Sequence, residues 1–171
     1  QKISFEKYKK YIGLPFEKIL RELNIKGDYN KIKNLYSTYS LKKISKLKID
    51  KKKLQGLKKL KKKYFLAIFT SKDKIRTLKI LKKYNIFSII ITSDDVKHGK
   101  PNPEGLIKIL NKTRIKKRDA YFIGDTIFDY KAGKAAKINY LHASWGMEKK
   151  LKLKNVSYLN SIAKIGRILE A

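Results

Sequence analysis

Four short, unbroken apolar runs succeed one another through the later part of the chain: YFLAIFT (64–70), FSIIIT (87–92), AYFIGD (120–125) and INYLHAS (138–144). A strand with one wet face alternates apolar and polar side chains. A run apolar at nearly every position suits a strand buried on both faces, as in a parallel sheet. Between the runs lie segments of helical period: SKDKIRTLKILKKY with Ile75, Leu78 and Leu81 along one side, NPEGLIKILNKT, and TIFDYKAGKAAK. A fifth strand is expected at VSYL. The last helix, SIAKIGRILEA, should turn Ile162, Ile165, Ile168 and Leu169 inward. This alternation predicts an α/β fold: a parallel sheet with helices on both faces.

The first third reads differently. From residue 3 to about 63 the pattern is helical throughout. SFEKYKKYIG has Ser4 as an N-cap and ends at Gly13, Pro15 stands near the start of LPFEKILREL, and Asp28 can cap DYNKIKNLYSTYSLKKI. In LKIDKKKLQGLKKLKKK, Leu54, Leu57 and Leu60 recur every third residue among lysines, the pattern of an amphipathic helix with a solvated face. The expected organisation is a helical unit over residues 1–50 and an α/β core over 51–171.

Composition excludes several classes. Among 171 residues there is no cysteine, hence no disulfide framework and no thiolate metal site, which agrees with a cytoplasmic location. No apolar run approaches the ~20 residues of a membrane helix, so no membrane partner is expected, and no signal peptide is evident. The formal charge of +30 would attract polyanions such as nucleic acid. Yet 39 of the 44 basic residues are lysine, without arginine's planar fork, and no aromatics interleave the lysines of 51–63 to stack bases. Lysine with abundant Ile, Asn and Tyr has the character of compositional drift. Oligomeric state is not legible.

In open parallel sheets, ligands bind beyond the carboxyl ends of the strands. Three such ends are polar here. The first carries Thr70 and Ser71; the third carries Gly124-Asp125-Thr126, with Asp129 one helical turn on; and after the second, KHGKPNPEG holds Lys100 on a loop with two prolines. A hydroxyl and the N–H groups of the following turn cradle a phosphoryl group. A fixed lysine offsets the negative charge that builds during transfer. Asp125 and Asp129 can approach one hard cation, and Mg²⁺ favours one or two carboxylates plus waters and the phosphate itself. Each has a blander alternative: Ser71 as a helix cap, Lys100 in solvent, Asp125 as an N-cap and Asp129 as a first-turn carboxylate. No GxxxxGK[ST], GxGxxG or GxSxG pattern occurs, and His98 and His142 are too few for a histidine metal site.

FLAIFTSKDK, IIITSDDVKHGKPNPEGL and DAYFIGDTIFDYKAGKAAKINYLHASWG resemble the second, third and fourth motifs of the haloacid dehalogenase-like (HAD) hydrolases. The likeness is greatest to the phosphoglycolate phosphatase-like branch, whose Rossmann-like core carries a helical cap. The resemblance implies that Thr70 hydrogen-bonds the transferring phosphoryl oxygen, that Lys100 holds the phosphate beside the nucleophile, and that Asp125 and Asp129 serve Mg²⁺. It implies a phosphatase acting on a small phosphorylated metabolite such as phosphoglycolate. In the family an aspartate attacks phosphorus and a second, two residues later, acts as general acid/base. Both lie in a DxDxT motif on a central first strand, and no such motif occurs in this chain. Without that strand, two inner strand edges should face an open slot. Because the cap begins almost at Gln1, the expectation is that a few tens of residues precede it. The alternative is an inactive HAD-fold protein that binds nucleic acid or another polyanion through its basic surface.

Overall fold

The computed structural model describes residues 2–47, 50–149 and 151–170. Lys48, Ile49 and Ala171, which the sequence pattern assigns to helices, lie outside the described residues. Three helices come first: α1 (Phe5–Lys9), α2 (Phe16–Glu22) and α3 (Tyr29–Lys43). Their starts follow from local chemistry. The Ser4 hydroxyl accepts the Lys7 N–H at 3.4 Å, α2 begins directly after Pro15, and the Asp28 carboxylate accepts the N–H groups of Asn30 and Lys31 at 2.8 and 3.2 Å. α1 stops at Lys9, short of Gly13. Gly13 sits at φ +113°, and a Cβ there would lie 2.8 Å from Thr126 Oγ1, so the chain leaves the helix to lie against the core.

The remaining elements are α4 (Lys51–Lys61), β1 (Ala67–Phe69), α5 (Lys74–Leu81), β2 (Ile89–Ile91), α6 (Glu104–Thr113), β3 (Tyr121–Gly124), α7 (Ile127–Ala136), β4 (Asn139–Ala143), β5 (Ser157–Leu159) and α8 (Ala163–Leu169). Every strand pairing is parallel. The strands are shorter than the apolar runs that mark them: YFLAIFT contributes three strand residues, because only Ala67–Phe69 have partners, Ile89–Ile91.

The strands form two half-sheets, β2-β1 and β3-β4-β5, with no ladder between β1 and β3 among the described residues. The inner edges of β1 and β3 thus face a gap, the open slot expected from the sequence. Two apolar clusters flank the strands, and the first draws on both halves. Phe69, Ile91, Leu106, Ala132 and Ala136 pack with Phe122 under α6 and α7. Leu60, Leu141, Leu159 and Ile165 pack with Ile123, Ile162, Ile168 and Leu169 under α4 and α8, so the closing helix turns inward the residues its period indicated, Ile165 fully and the other three in part.

α5 departs from its sequence pattern. Ile75 is 68% exposed, whereas Arg76 and Thr77 are buried. The polar pair turns inward because it has partners there: the Asp73 carboxylate caps α5 at the Arg76 N–H (2.8 Å) and pairs with the Arg76 guanidinium, which also reaches Ser40 Oγ on α3 at 3.3 Å. The Arg76 guanidinium lies over the Tyr36 ring, 4.7 Å from its centroid. Asp73, not Ser71, is the helix cap.

Candidate active site

The carboxyl ends of β1 and β3 open into one cavity of about 620 Å³, and Thr70, Ser71, Lys100, Asp125 and Asp129 all line it. The two half-sheets thus run in the same direction, and the five residues singled out from sequence are brought together.

At the third strand end, Thr126 is the N-cap of α7, and its hydroxyl and the Asp129 carboxylate close a reciprocal capping box. Asp129 Oδ2 accepts the Thr126 hydroxyl at 2.6 Å and the N–H groups of Thr126 and Asp125 at 3.1 and 3.2 Å. Its other oxygen, Oδ1, accepts Lys100 Nζ at 2.6 Å. Both side chains are nearly buried, at 9% and 5% exposure, so this ammonium is not a solvent-facing lysine. With both Asp129 oxygens engaged, the carboxylate that faces the cavity with free valence is Asp125. Its Oδ2 accepts the Met147 N–H at 2.8 Å, and Oδ1 accepts no hydrogen bond from any described residue.

Gly124 and Gly146 let these carboxylates approach so closely. A Cβ at Gly124 would lie 2.2 Å from Asp129 Cβ, and one at Gly146 would lie 2.2 Å from Asp125 Cβ. The turn 144–148 that supports Asp125 is itself tied down. Glu148 N–H donates to the Asp125 carbonyl at 3.1 Å, and Glu148 Oε2 accepts the Ile127 N–H at 2.8 Å. Fully buried His142 donates from Nε2 to the Glu148 carbonyl at 2.9 Å, and its Nδ1 lies 3.2 Å from the Tyr140 hydroxyl. Burial, with the Asp129, Asp125 and Glu148 carboxylates nearby, pushes the Tyr140 hydroxyl well above the usual phenol range.

At the first strand end, the Thr70 N–H continues the ladder to the Ile91 carbonyl at 2.9 Å, and its Oγ1 accepts the Lys72 N–H at 3.2 Å. The Ser71 hydroxyl donates to the Gly13 carbonyl at 2.5 Å, joining the helical N-terminal part to the core across the cavity mouth. The loop that carries Lys100 is held by Glu104, whose carboxylate accepts the N–H groups of Lys97 and His98 at 3.0 and 2.7 Å. The Lys108 ammonium and those two N–H groups pull its pKa down to about 2. Of the residues not singled out from sequence, Thr126 had a signal, the Thr-x-x-Asp pattern of a capping box. Gly13 and Glu148 had none, because their partners are 58 and 21 residues away along the chain.

A parallel α/β core with helices ahead of it is shared with a known hydrolase class. The sequence pattern of the haloacid dehalogenase-like hydrolases matches residues 1–143, and the chain belongs to this family. Pyrophosphatase PpaX of Halalkalibacterium halodurans is 35% identical over 74 residues, covering 42% of this chain and 34% of that protein. The PpaX of Bacillus thuringiensis is 36% identical over 62 residues, 36% of this chain and 29% of its own length. The matched stretch thus spans about a third of these curated relatives. Among solved structures, a hydrolase from Pseudomonas syringae superposes with a TM-score of 0.78 at 17% identity, over 99% of this chain and 84% of that one. CbbY from Rhodobacter sphaeroides, solved with phosphate, superposes at 0.76 and 16% identity over 95% and 80%. At such identities the likeness is one of fold.

No helix among the described residues is long and apolar enough to cross a membrane.

Proposed function

We propose that the site is that of a Mg²⁺-dependent phosphomonoester hydrolase acting on a small phosphorylated metabolite such as phosphoglycolate, with an aspartate nucleophile that lies outside these 171 residues. The observation that carries this reading is the buried Lys100–Asp129 pair facing Thr70 across the cavity, beside the free oxygen of Asp125. A cavity of about 620 Å³ suits a small metabolite.

The Thr70 hydroxyl and the N–H groups of the turn after β1 hold the phosphoryl oxygens. The Lys100 ammonium, fixed by Asp129, stands where negative charge grows as the ester bond breaks. Its charge costs no reorganisation there, because burial has already oriented it. Asp125 fits a hard cation through Oδ1, and Asp129 acts behind it by holding Lys100 and the Asp125 N–H. Bound Mg²⁺ would supply charge neutralisation of the phosphoryl group. Phosphoglycolate comes from the family likeness alone.

The test has two arms. The 171-residue chain should bind inorganic phosphate in the presence of Mg²⁺, measured by calorimetry, and Lys100→Met should abolish this. A chain extended by a strand carrying the nucleophile should hydrolyse p-nitrophenyl phosphate only with Mg²⁺. Turnover that survives Asp125→Ala would falsify the assignment.

A further inference from the structure

We propose that the substrate is the phosphomonoester of an alcohol that carries an aromatic ring, and that Tyr8, Phe16 and Tyr36 select it; this deepens the phosphatase reading and rests on it. Three features of the structure carry the proposal. First, the cavity has two unlike walls. The core supplies Thr70, Lys100 and Asp125, whereas the helical N-terminal part supplies Tyr8, Ile12, Leu14, Phe16, Ile19 and Tyr36. The second wall begins beside the first. The Gly13 carbonyl accepts the Ser71 hydroxyl, and a Cβ on Gly13 would lie 2.8 Å from Thr126 Oγ1, so Leu14 stands one residue from the phosphoryl end. The group next to the ester oxygen therefore meets apolar surface.

Second, that wall is fixed by its own contacts. A Cβ at Gly99 would lie 2.5 Å from Pro15 Cγ, so Pro15 is pressed onto the loop that carries Lys100. Leu14 and Ile19, on either side of Phe16, are buried. The Phe16 and Tyr36 rings stack with centroids 4.4 Å apart and planes 12° from parallel, and the Arg76 guanidinium lies over the Tyr36 ring. Rings already held in place offer a flat ligand their area with little ordering cost. An aromatic ligand gains further from stacked or edge-to-face contact, which a saturated one does not.

Third, the aromatic wall has no charge to spare. Arg76, which lies over Tyr36, is already paired with Asp73 and donates to Ser40 Oγ. Burial, with the Tyr36 hydroxyl beside it, pushes the Tyr8 hydroxyl above the usual phenol range, so it stays neutral. Lys72 has no acidic partner among the described residues, but its N–H is bonded to Thr70 Oγ1, which places it at the phosphoryl end. An acidic leaving group such as glycolate would thus give up water against carbon atoms. An aromatic one gains by the same burial.

The experiment titrates the 171-residue chain, with Mg²⁺, with inorganic phosphate, methyl phosphate, benzyl phosphate and phosphoglycolate, followed by calorimetry. Benzyl phosphate should bind about tenfold or more tighter than methyl phosphate, and phosphoglycolate no tighter than methyl phosphate. Cyclohexylmethyl phosphate, of similar size but not flat, should bind less tightly than benzyl phosphate. Nuclear Overhauser contacts should run from the bound benzyl ring to the rings of Tyr8, Phe16 and Tyr36. Tyr36→Ala should shrink the benzyl-to-methyl affinity ratio toward one. Equal affinity of the benzyl and methyl esters, or tighter phosphoglycolate, overturns the inference, and the phosphatase reading survives if inorganic phosphate still binds. Equal affinity of the cyclohexylmethyl ester overturns the choice of an aromatic ring. Contacts to Phe69 and Phe122 in place of the three rings also overturn the inference, because the ring then lies between the half-sheets. If Tyr36→Ala fails to fold, the contacts in the unsubstituted chain still decide. If none of these ligands binds, both readings fall.

Discussion

Lys100 Nζ and Asp129 Oδ1 meet at 2.6 Å with both side chains almost out of water. The pair ties the loop after β2 to the first turn of α7, and so spans the two half-sheets at the site. Removing the lysine leaves a buried carboxylate without its cation, which costs about 3–5 kcal/mol. Lys100→Met should therefore lower the urea midpoint sharply. Lys100→Met combined with Asp129→Asn should lose less than the sum of the single losses, because the two groups share one interaction. Additive losses would show that the pair is not coupled.

Gly146 is a test of how tightly Asp125 is held. Alanine there would place its Cβ 2.2 Å from Asp125 Cβ, so the turn or the carboxylate must move. Mg²⁺-dependent phosphate binding should fall about tenfold or more, since a displacement of an ångström is enough to misplace a ligand. Gly166→Ala, whose Cβ would meet nothing nearer than Leu60 Cδ2 at 4.0 Å, is the control and should bind normally.

Acid should loosen the Lys100 loop in a defined range. The Glu104 pKa is depressed from an ordinary 4.5 to about 2 by Lys108 and by the N–H groups of His98 and Lys97. A depressed carboxylate contributes stability that is complete above the unfolded pKa and is lost as pH falls through the folded one. The latch should therefore weaken between about pH 4.5 and pH 2. Amide exchange at Lys97 and His98 should rise over that window, after correction for intrinsic rates. In Glu104→Gln the two amides should exchange faster at neutral pH and lose the transition.

The Ser71 hydroxyl to Gly13 carbonyl bond is a contact between the N-terminal helices and the core. Ser71→Ala should cost about 0.5–1.5 kcal/mol, the net worth of one such bond. Faster proteolysis near residues 10–14, with little change in the exchange of β3 and β4, would show local release of the N-terminal part. Uniform destabilisation would place the bond in the global unfolding unit.

Much of the architecture is legible in the sequence. Runs such as IIIT and YFIG declare buried parallel strands, and Ser4, Pro15 and Asp28 mark helix starts by chemistry local to a few residues. Thr70, Ser71, Lys100, Asp125 and Asp129 could be named because parallel sheets place their ligands at strand ends. α5 misled because its apolar period points Ile75 inward, while a contact 36 residues away in sequence, Ser40 to Arg76, rotates the polar face to the core.

The sequence by itself determined the strands, the helices and the residue types at the strand ends, because hydrophobic period, capping and turn chemistry act over a few residues. Tertiary structure alone decided that Asp129 faces Lys100 with one oxygen and Thr126 with the other, leaving Asp125 with the free valence. It alone decided that Glu148 and His142 brace the turn beneath Asp125, and that Arg76 rather than Ile75 faces inward on α5. Those outcomes depend on which distant groups compete for the same buried hydrogen bonds. No local pattern encodes that competition.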